Sequence, residues 1–581
     1  MSSSTVDYPL QRRTGAARFL PLLGWFGQYT RATLRADVVA GLTVAVMLVP
    51  QSMAYAALAG MPPATGLYAA VVPLVVYALL GTSGSLAVGP VAITALMSAA
   101  ALAPLADGDP ARYAALAGVL ALLVGAIQFS MGALRLGAVV NFMSHPVLSG
   151  FTSAAAIIIA ASQLKDLLGL RAERAGTLPE TILALAGAVT TAHWPTIAVS
   201  AVSVLALVLL KRVFPKVPGA LLVVAAVTGL SAVLSFGDRG VAVLGEVPAG
   251  LPMPAVPDAL LGDVVALLPA ALAIALVGYM EGIAVAKALA AKSRQHVSAD
   301  TELVAVGAAN GAAGLFGAFP VAGGFSRSAV NFSAGARTPV ATLVTAAVVA
   351  VTALVLTPAF YHLPKAVLAA IVVVAVAGLV DLRGAATVWR TRRLDGFALG
   401  VTFLVTLLFG VEPGIAAGVV FSLAVVLWNS SRPHTAELGR VPGTGTFRNV
   451  DRYEGLTTDP GIAVVRVDAP LYFANAQWVT DTLVGIADER AEVRTIVLDA
   501  SAISDCDSDG AHALSELHRT LDSRGIELRL ATVRGPVRDV LTRDGIWAVL
   551  RGARRVHPDV VSAVTAAGGG APAPELAREV L

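Results

Sequence analysis

The chain has 581 residues, of which 56% are hydrophobic and 14% are charged. Soluble proteins carry roughly 25% charged residues, so this deficit and a mean hydropathy of +0.76 indicate an integral membrane protein. The formal net charge of +3 does not suggest nucleic-acid binding, and the single cysteine, Cys506, excludes an internal disulfide.

Charge is distributed unevenly along the chain. Residues 38–104 contain no Lys, Arg, Asp or Glu, whereas the residues from 437 onward have the composition of a soluble domain. We therefore predict three parts. They are a cytoplasmic N-terminal segment (1–36), a transmembrane transport domain (37–434) and a cytoplasmic domain with its linker and tail (435–581).

Fourteen apolar segments are predicted to cross the membrane, seven on each side of a loop rich in Pro, Gly and Asp at 237–263. The third segment of each set is short and interrupted by Gly and Pro. Interrupted segments at matching positions predict two inverted repeats with a binding site between them. Thr177–Ala192 is predicted to be an interfacial helix on the outer side. The spanning segments are Val38–Leu58, Gly66–Leu80, Gly89–Pro104, Tyr113–Leu134, Gly150–Leu168, Trp194–Leu210, Gly219–Phe236, Val264–Ala286, Thr301–Phe319, Ser326–Ala336, Val340–Phe360, Ala366–Val380, Gly396–Val411 and Gly414–Trp428.

Lysine and arginine in the loops predict the orientation. With the N-terminus inside, Arg135, Lys211, Lys287 and Arg390 fall on the cytoplasmic side, as the positive-inside rule requires. An even number of spans then returns the C-terminal domain to the cytoplasm. We expect a multi-pass protein of the plasma (inner) membrane with both termini cytoplasmic.

Two ionisable residues, Glu281 and Arg327, are predicted to lie within the membrane. Each costs at least ~2.5 kcal/mol there on insertion scales, so each requires water or a partner. Arg327 follows Gly323-Gly324-Phe325-Ser326 where the second interrupted helix begins, and helix N-termini bind anions through unpaired N–H groups. Val91 to Thr94 would supply an opposing helix end. Alternatively, Arg327 pairs with Glu281 and braces the fold, and the two roles are compatible.

Three further predictions concern single side chains. Glu281 is either a carboxyl that faces the cavity and exchanges protons or a hydrogen-bonding anchor between helices. Pro50 is expected to break the first span, and the amide of Gln51 beside it either lines the cavity or holds helices together. Tyr55 lies one turn further along, on the same face as Gln51.

Motifs in a fixed order carry a family resemblance. They are Asp37-Val-Val-Ala-Gly-Leu-Thr-Val, Pro50-Gln51-Ser-Met-Ala-Tyr55, Gly60-Met-Pro-Pro63, Leu86-Ala-Val-Gly-Pro90, Ser144-His-Pro-Val147, Glu302-Leu303 with Gly307, and Ser326-Arg327-Ser328. Together they resemble the sulfate permease (SulP) family of anion transporters, and the resemblance covers essentially the whole chain.

The resemblance implies a uracil-permease-like seven-plus-seven inverted repeat, with a gate domain and a core domain that moves as an elevator, usually in a homodimer. It also implies that the substrate lies between the third and tenth segments, with the first and eighth lining the site. Sulfate is the favoured substrate, with bicarbonate and C4-dicarboxylates as alternatives. By position, the resemblance nominates Gln51, Tyr55, Val91, Ala92, Glu281, Phe325, Ser326 and Arg327.

One departure from the family pattern bears on which cation is coupled to anion transport. Sodium-coupled bicarbonate members resemble this chain in the eighth segment but carry Asp where Glu281 stands and Thr one turn later. Here the later residue is Val285, which offers no oxygen to a cation. Proton coupling through Glu281 is therefore the favoured prediction, with uncoupled exchange or channel activity as the alternative.

The C-terminal part alternates predicted strands (461–467, 495–498, 525–532) with helical stretches, which indicates a small α/β domain. Pro470–Asn475 and Asp505–Gly510 resemble a STAS domain, similar to anti-sigma-factor antagonists. Ser508 stands where the antagonists are phosphorylated, but Asp505, Asp507 and Asp509 oppose an added phosphate. The alternative is that Asp507 or Ser508 caps the helix.

A different class of function remains open from the sequence: a membrane-tethered signalling protein whose STAS domain binds a regulatory partner. An enzyme is not expected. The sequence offers no nucleotide-binding loop, metal-ligand cluster or nucleophile–base pair, and we expect no cofactor.

Overall fold

The computed structural model describes residues 29–137, 144–172, 177–214, 218–258, 260–293, 295 and 297–568. The chain divides into two compact units, Met1–Ser422 and Leu423–Leu581. Residues 1–28 of the predicted N-terminal segment and residues 569–581 of the predicted tail lie outside the described part.

The first unit is built of helices, with one short pair of strands among its described residues. In chain order its elements, with the helix that leads out of it, are α1 (Arg31–Leu58), α2 (Pro63–Ala69), α3 (Val72–Leu80), β1 (Val88–Gly89), α4 (Ala92–Ala106), α5 (Pro110–Ala133), α6 (His145–Leu168), α7 (Leu178–Ala188), α8 (Trp194–Val213), α9 (Gly219–Val233), α10 (Leu261–Ser293), α11 (Ala299–Leu315), β2 (Ala322–Gly323), α12 (Phe325–Ser333), α13 (Val340–Val351), α14 (Lys365–Val376), α15 (Leu382–Thr391), α16 (Arg393–Phe409) and α17 (Val411–Ser431).

Each predicted spanning segment coincides with one of these helices or with an adjacent pair. Within the described residues, nine helical stretches are long and apolar enough to cross a membrane. The prediction of a helical membrane domain is confirmed. The predicted interfacial segment Thr177–Ala192 forms α7 and a 3₁₀ turn, with Ile182 and Leu183 exposed.

Proline divides two of the predicted segments. Gly66–Leu80 forms α2 and α3 with a break at Ala70–Val71, because Pro73 has no N–H to continue the helical bonds. Val340–Phe360 forms α13 followed by a π-helical turn and a 3₁₀ turn that contains Pro358. Proline again removes one donor, and the backbone changes its hydrogen-bond spacing there.

The prediction that Pro50 breaks the first span was wrong. Helix α1 runs without interruption from Arg31 to Leu58 with Pro50 inside it. Proline removes only its own N–H from the ladder, and neighbouring helices in a membrane bundle hold the remaining turns in place. Gln51 is consequently a residue of a continuous helix and is buried.

Helices α5 and α11 pack backbone to backbone. A Cβ atom at Gly132 would lie 2.7 Å from the carbonyl oxygen of Asp300, and one at Gly307 would collide with the backbone of Phe129. Small residues allow such approach in membrane helices. The close contact brings Gln128 of α5 against Asn310 of α11, and their Oε1 and Nδ2 atoms are 2.9 Å apart.

The second unit contains a six-stranded sheet in the order β4-β3-β5-β6-β7-β8. Strands β5 to β8 are parallel, while β3 is antiparallel to β4 and β5. The elements are β3 (Thr435–Arg440), β4 (Phe447–Asn449), β5 (Ile462–Val467), α18 (Ala476–Glu489), β6 (Thr495–Asp499), α19 (Ser508–Ser523), β7 (Glu527–Ala531), α20 (Gly535–Asp544), α21 (Ile546–Gly552), β8 (Val556–His557) and α22 (Val560–Ala566).

Both faces of this sheet are covered by helices. Along β5, Ala463, Val465 and Val467 belong to one apolar core, whereas Ile462 and Val464 belong to a second one with α22. This alternation follows the two-residue period of a strand. The three predicted strands are present. Strands β3, β4 and β8 were missed, because they lie at or near the sheet edge and are short or partly polar.

Candidate anion site

The site is built on the two short strands of the membrane unit. Strands β1 and β2 are antiparallel, with Val88 opposite Gly323 and Gly89 opposite Ala322. Each strand leads directly into a helix, β1 into α4 and β2 into α12. The N-termini of the two helices therefore lie close together. No side chain caps either end, so their first N–H groups remain available to an anion.

Hydrogen bonds hold the two strand–helix units together. The N–H of Gly324 donates to the carbonyl of Ala87 (3.0 Å), and the N–H of Ala87 donates to the hydroxyl of Ser328 (2.9 Å). Asn331 donates from Nδ2 to the carbonyl of Ser85 (3.1 Å). The start of α12 is thereby fixed to the segment that leads into α4.

A buried amide anchors the approach to β2. Asn310 accepts a 2.7 Å hydrogen bond from the N–H of Val321 and donates to the carbonyl of the same residue at 3.0 Å. Gln128 connects the same amide to α10 through the carbonyl of Ala275 (3.0 Å). Three helices thus position the strand that carries the second helix end.

Arg327 lies between the two helix ends and is only 3% exposed. Its Nη1 atom donates to the carbonyl oxygen of Pro90 at 2.5 Å. Its Nε and Nη2 atoms have no hydrogen-bond partner among the described residues, although both are buried. Such donors are costly to bury unless a ligand or water accepts from them.

The two unpartnered donors share one edge of the guanidinium. Nε–H and one Nη2–H point in nearly the same direction, and this fork matches two oxygens of a single oxyanion. The backbone leaves room for the fork: a Cβ atom at Gly324 would lie 2.8 Å from Nη2, and one at Gly89 would lie 3.5 Å from it. Glycine at both positions keeps this edge of the guanidinium accessible.

Helices α1 and α10 each pack against α4 and α12, and they bring three more predicted residues to the site. Tyr55 of α1 and Glu281 of α10 are within electrostatic range of Arg327. Gln51 lies one turn before Tyr55 on the same buried helix. Gly323 allows β2 to approach α10, since a Cβ atom at Gly323 would lie 2.8 Å from the Cα of Gly282.

Glu281 and Arg327 do not form an ion pair within 4.0 Å in the part of the chain that the structure describes. Arg327 is bonded to Pro90 instead, and the Oε2 atom of Glu281 is buried with no hydrogen-bond partner among the residues that the structure describes. A permanent Glu281–Arg327 brace is therefore absent from this conformation. Both side chains therefore retain unused hydrogen-bonding capacity among the described residues.

The remaining predicted residues differ in exposure. Val91 and Ala92 are buried at the start of α4, whereas Phe325 is 61% exposed and Ser326 is exposed at the start of α12. The second helix end is thus open and the first is enclosed. The structure brings together the elements to which sequence reasoning assigned the site. That reasoning missed Pro90 as an acceptor and Asn310, Ser328 and Asn331 as supports. Isolated amides in apolar helices are the signal that could have found Asn310 and Gln128.

A separate groove of about 480 Å³ lies between α7 and α16. It is lined by Leu178, Pro179, Ile182, Leu183, Leu404, Leu407 and Leu408. It offers no donor or charge to an anion. Among the described residues no group of His, Cys, Asp and Glu is arranged to hold a metal ion.

The predicted regulatory serine lies in the second unit. Ser508 is exposed as the first residue of α19, and Asp507 is the cap, with its Oδ1 accepting from the N–H of Gly510 at 2.8 Å. The Oδ2 of Asp507 accepts from the N–H of Phe473 at 2.9 Å. Of the two residues proposed as the helix cap, the structure selects Asp507.

A membrane-spanning helical unit with a guanidinium between two uncapped helix N-termini defines a class of protein, the membrane transporters of anions, and not an enzyme. The chain belongs to the sulfate permease family, whose model matches residues 34–402. The STAS domain model matches residues 455–563. The predicted family and the predicted STAS domain are both confirmed.

Known relatives agree with this assignment. The chain is 37% identical over 545 residues to sulfate transporter 4.1, chloroplastic, of Arabidopsis thaliana, covering 90% of this chain and 79% of that protein. It is 40% identical over 528 residues to a probable sulfate transporter of Mycobacterium tuberculosis, covering 90% of this chain and 94% of that protein.

Solved structures share the fold. The murine Solute Carrier 26 family member A9 anion transporter in its inward-facing state matches with a TM-score of 0.89 and 26% identity, covering 96% of each chain. The transmembrane domain of the cyanobacterial bicarbonate transporter BicA matches with a TM-score of 0.59 and 26% identity, covering 67% of this chain and 98% of that domain.

Proposed function

We propose that this protein carries sulfate across the membrane and that sulfate binds between the N-termini of α4 and α12. The observation that carries the proposal is the unpartnered Nε–Nη2 edge of the buried Arg327. Two parallel N–H donors fit two oxygens of a tetrahedral oxyanion, whereas a spherical halide can use only one point of contact well. The names of the relatives support sulfate in particular.

Electrostatics favours a divalent substrate. Each helix N-terminus contributes roughly +0.5 charge and Arg327 adds +1, so the site offers about +2 when Glu281 is neutral. Ionised Glu281 would lower this to about +1. Sulfate therefore binds better when Glu281 carries a proton, and by linkage the bound anion favours proton binding. We propose that this reciprocity couples sulfate uptake to protons.

The remaining predicted site residues would donate further hydrogen bonds to the anion. Gln51 and Tyr55 donate hydrogen bonds to the anion from α1, and Val91, Ala92, Phe325 and Ser326 supply backbone N–H groups at the two helix ends. Bicarbonate and C4-dicarboxylates stay as competing substrates, because a carboxylate also presents two oxygens to the arginine fork.

Uptake of radiolabelled sulfate into proteoliposomes tests this function. We expect uptake that is stimulated by an inward proton gradient and inhibited by excess unlabelled sulfate more strongly than by bicarbonate, succinate or chloride. Uptake that ignores the proton gradient would reject the symport and leave exchange or channel activity. Absence of uptake for every anion would favour the STAS signalling alternative.

Transport is proposed to follow an elevator motion of the site between two seven-segment inverted repeats. The single native cysteine, Cys506, lies in the second unit and can be replaced by Ser to give a cysteine-free background. Cysteine introduced at the exposed Ser326 should then react with a membrane-impermeant thiol reagent from either side, in proportions that sulfate shifts. Reaction from one side under all conditions would contradict the elevator.

Four further points remain predictions. They are the domain boundaries (1–36, 37–434 and 435–581), the homodimer, the inner-membrane location with cytoplasmic termini, and a regulatory partner at the STAS domain. Mass photometry in detergent tests the dimer, and protease protection in sealed vesicles tests the orientation. A phosphate on Ser508 would meet three aspartates, so we propose that this serine is not phosphorylated in the transporter. Mass spectrometry of peptides that contain Ser508 tests that statement.

A further inference from the structure

Helix α15, Leu382–Thr391, has no buried residue, unlike the other α-helices in the described part of the membrane unit. It follows α14 after a break at Val380–Asp381 and precedes α16, which begins at Arg393. Both neighbours are apolar and α15 is not. A short polar helix between two membrane-embedded helices must lie near the membrane surface.

The two faces of α15 carry different chemistry. Leu382, Ala386 and Trp389 are spaced by four and three residues, which places them on one face. Arg383, Thr387 and Arg390 have the same spacing and form a neighbouring stripe, about 100° further round the helix. Leu382 is 77% exposed and Trp389 47% exposed, so a large part of the apolar face is left uncovered. This division is typical of helices that lie in the membrane interface.

Arginines concentrate at the C-terminal end of α15. Arg390, Arg392 and Arg393 follow one another within four residues, and Arg383 lies two turns earlier. Only Arg392 has an ion pair among the described residues, a distant one of 4.0 Å to Asp395. The other nearby acid, Asp381, is occupied as the helix cap with Oδ1 accepting from the N–H of Gly384 at 2.8 Å. Capping leaves the charge of Asp381 in place, but the four arginines outnumber the two carboxylates Asp381 and Asp395, so this part of the chain carries net positive charge.

The helix is held in this position by its own tryptophan. The ring of Trp389 lies 5.1 Å from that of Phe397 on α16, measured between centroids. Gly396 provides the space, because a Cβ atom there would collide with the Trp389 ring. Phe397, Leu404 and Leu408 continue an exposed apolar face along α16. The exposed side of α15 is thus continuous with a surface that faces lipid.

We propose that α15 binds the headgroups of anionic phospholipids. Its apolar face, with Leu382 and Trp389, would enter the acyl boundary of the membrane. Arg383, Arg390 and Arg393 would contact headgroup phosphates, since guanidinium groups bind phosphate bidentately. Basic residues beside a membrane helix attract anionic lipid in this way. The lipid site is separate from the anion site and does not depend on which anion is carried.

Native mass spectrometry of the full-length protein tests this proposal. Delipidated protein is mixed with equal amounts of phosphatidylglycerol and phosphatidylcholine that share the same acyl chains. The parent protein should retain phosphatidylglycerol preferentially. The triple variant Arg383→Gln/Arg390→Gln/Arg393→Gln should lose this preference by on the order of 100-fold, from about fivefold for each arginine.

Two control variants make the outcome specific. The triple variant Arg452→Gln/Arg538→Gln/Arg551→Gln removes the same charge from exposed positions in the second unit and should keep the parent preference. The Arg383→Lys/Arg390→Lys/Arg393→Lys variant keeps the charge and should retain most of the preference for phosphatidylglycerol. Unchanged phosphatidylglycerol preference in the glutamine variant of α15, or an equal loss in the control from the second unit, would overturn the proposal.

An independent measurement tests the apolar face. In vesicles of phosphatidylglycerol and phosphatidylcholine whose acyl chains carry bromine, tryptophans in contact with lipid lose fluorescence. The fluorescence lost to bromine per mole of protein should be smaller in the Trp389→Phe variant than in the parent. The Trp547→Phe variant, in the second unit, should leave it unchanged. If Trp389→Phe also leaves it unchanged, α15 does not enter the membrane.

Discussion

Arg327 donates a 2.5 Å hydrogen bond from Nη1 to the carbonyl oxygen of Pro90. The cation at the start of α12 is thereby tied to the backbone that leads into α4. One edge of the guanidinium is used for this connection and the Nε–Nη2 edge is left for a ligand. The bond explains how a single arginine can both join two strand–helix units and bind an anion.

Replacing Arg327 separates the effect of charge from that of the fork. Arg327→Lys keeps the charge but loses one of two directed donors, and Arg327→Ala loses both. Hydrogen bonds to charged groups contribute about 1.5–3 kcal/mol each. The apparent affinity for sulfate should therefore fall on the order of 10-fold in the Arg327→Lys variant and on the order of 100-fold or more in the Arg327→Ala variant. Concentration-dependent sulfate uptake in proteoliposomes gives the affinity.

Arg337→Lys is the matched control, because the structure gives Arg337 only a backbone contact, from its N–H to Asp37. It should transport as the parent does. Parent-like sulfate affinity in Arg327→Lys would show that the fork is not used.

Glu281→Gln should abolish the response to a proton gradient while leaving sulfate exchange intact. Glutamine is nearly isosteric with the protonated acid and cannot release the proton, so the site stays at its higher positive charge. Sulfate uptake with and without an inward proton gradient is the measurement. Glu412→Gln at the start of α17 is the control and should respond to the gradient normally. A Glu281→Gln variant that still responds would place coupling elsewhere.

Gly324→Ala should weaken sulfate binding by displacing the guanidinium of Arg327. The added Cβ would lie 2.8 Å from Nη2, and alanine is permitted there because the φ of Gly324 is −86°. We expect a loss of sulfate affinity of about 10-fold with little change in melting temperature. Gly311→Ala in α11 meets no atom within 4 Å and should behave as the parent. Equal affinity in the two variants would contradict this geometry.

Glu302→Gln should destabilise the membrane unit. Every group that the structure gives as bonded to this carboxylate is a donor. Oε1 accepts from the N–H of Thr82 at 2.6 Å and Oε2 accepts from the hydroxyl of Tyr77 at 2.8 Å. Glutamine would direct its own N–H₂ at one of them. The expected cost is about 3 kcal/mol, visible as a lower melting temperature. Tyr77→Phe, which removes one donor, should cost less.

Asp468→Asn should lower the stability of the second unit at neutral pH. The hydrogen bond from Arg466 chiefly, and that from His434, hold the pKa of Asp468 below its ordinary value. A lowered pKa contributes stability above the ordinary value of about 3.9 that is lost as the pH falls through the lowered one. Because the pair is near the surface, the difference should stay below about 1 kcal/mol.

Urea unfolding followed by tryptophan fluorescence measures this difference at pH 7 and pH 3. The parent and Asp468→Asn should differ at pH 7, and the difference should be smaller at pH 3, because the contribution falls as the pH drops below about 3.9 toward the lowered pKa. Asp481→Asn, which affects only a helical contact with Gln477, is the control. A difference that is the same at both pH values would assign the effect to packing instead of charge.

The sequence alone was sufficient for the order of the membrane helices and for three of the six strands in the sheet of the second unit. Runs of about 20 apolar residues predict spanning helices because backbone groups must be satisfied within the segment inside lipid. Gly89-Pro90 and Gly323-Gly324 marked the interrupted segments, because glycine and proline disfavour a continuous helix. The apolar runs at 461–467, 495–498 and 525–532 marked three strands of the second unit. These are local signals, and each can be read without knowledge of distant residues.

Only the tertiary structure decided the bonds between distant residues. The partner of Arg327 is Pro90, 237 positions away, and not the Glu281 that charge alone would favour. Pro50 is accommodated in a continuous helix because its neighbours support it. No local pattern specifies such pairings, since they depend on which backbone carbonyls the packing of α4, α10 and α12 brings near the guanidinium. The sequence therefore determined that a cation lies at a helix end in the membrane. The fold decided which edge of that cation is left to bind an anion.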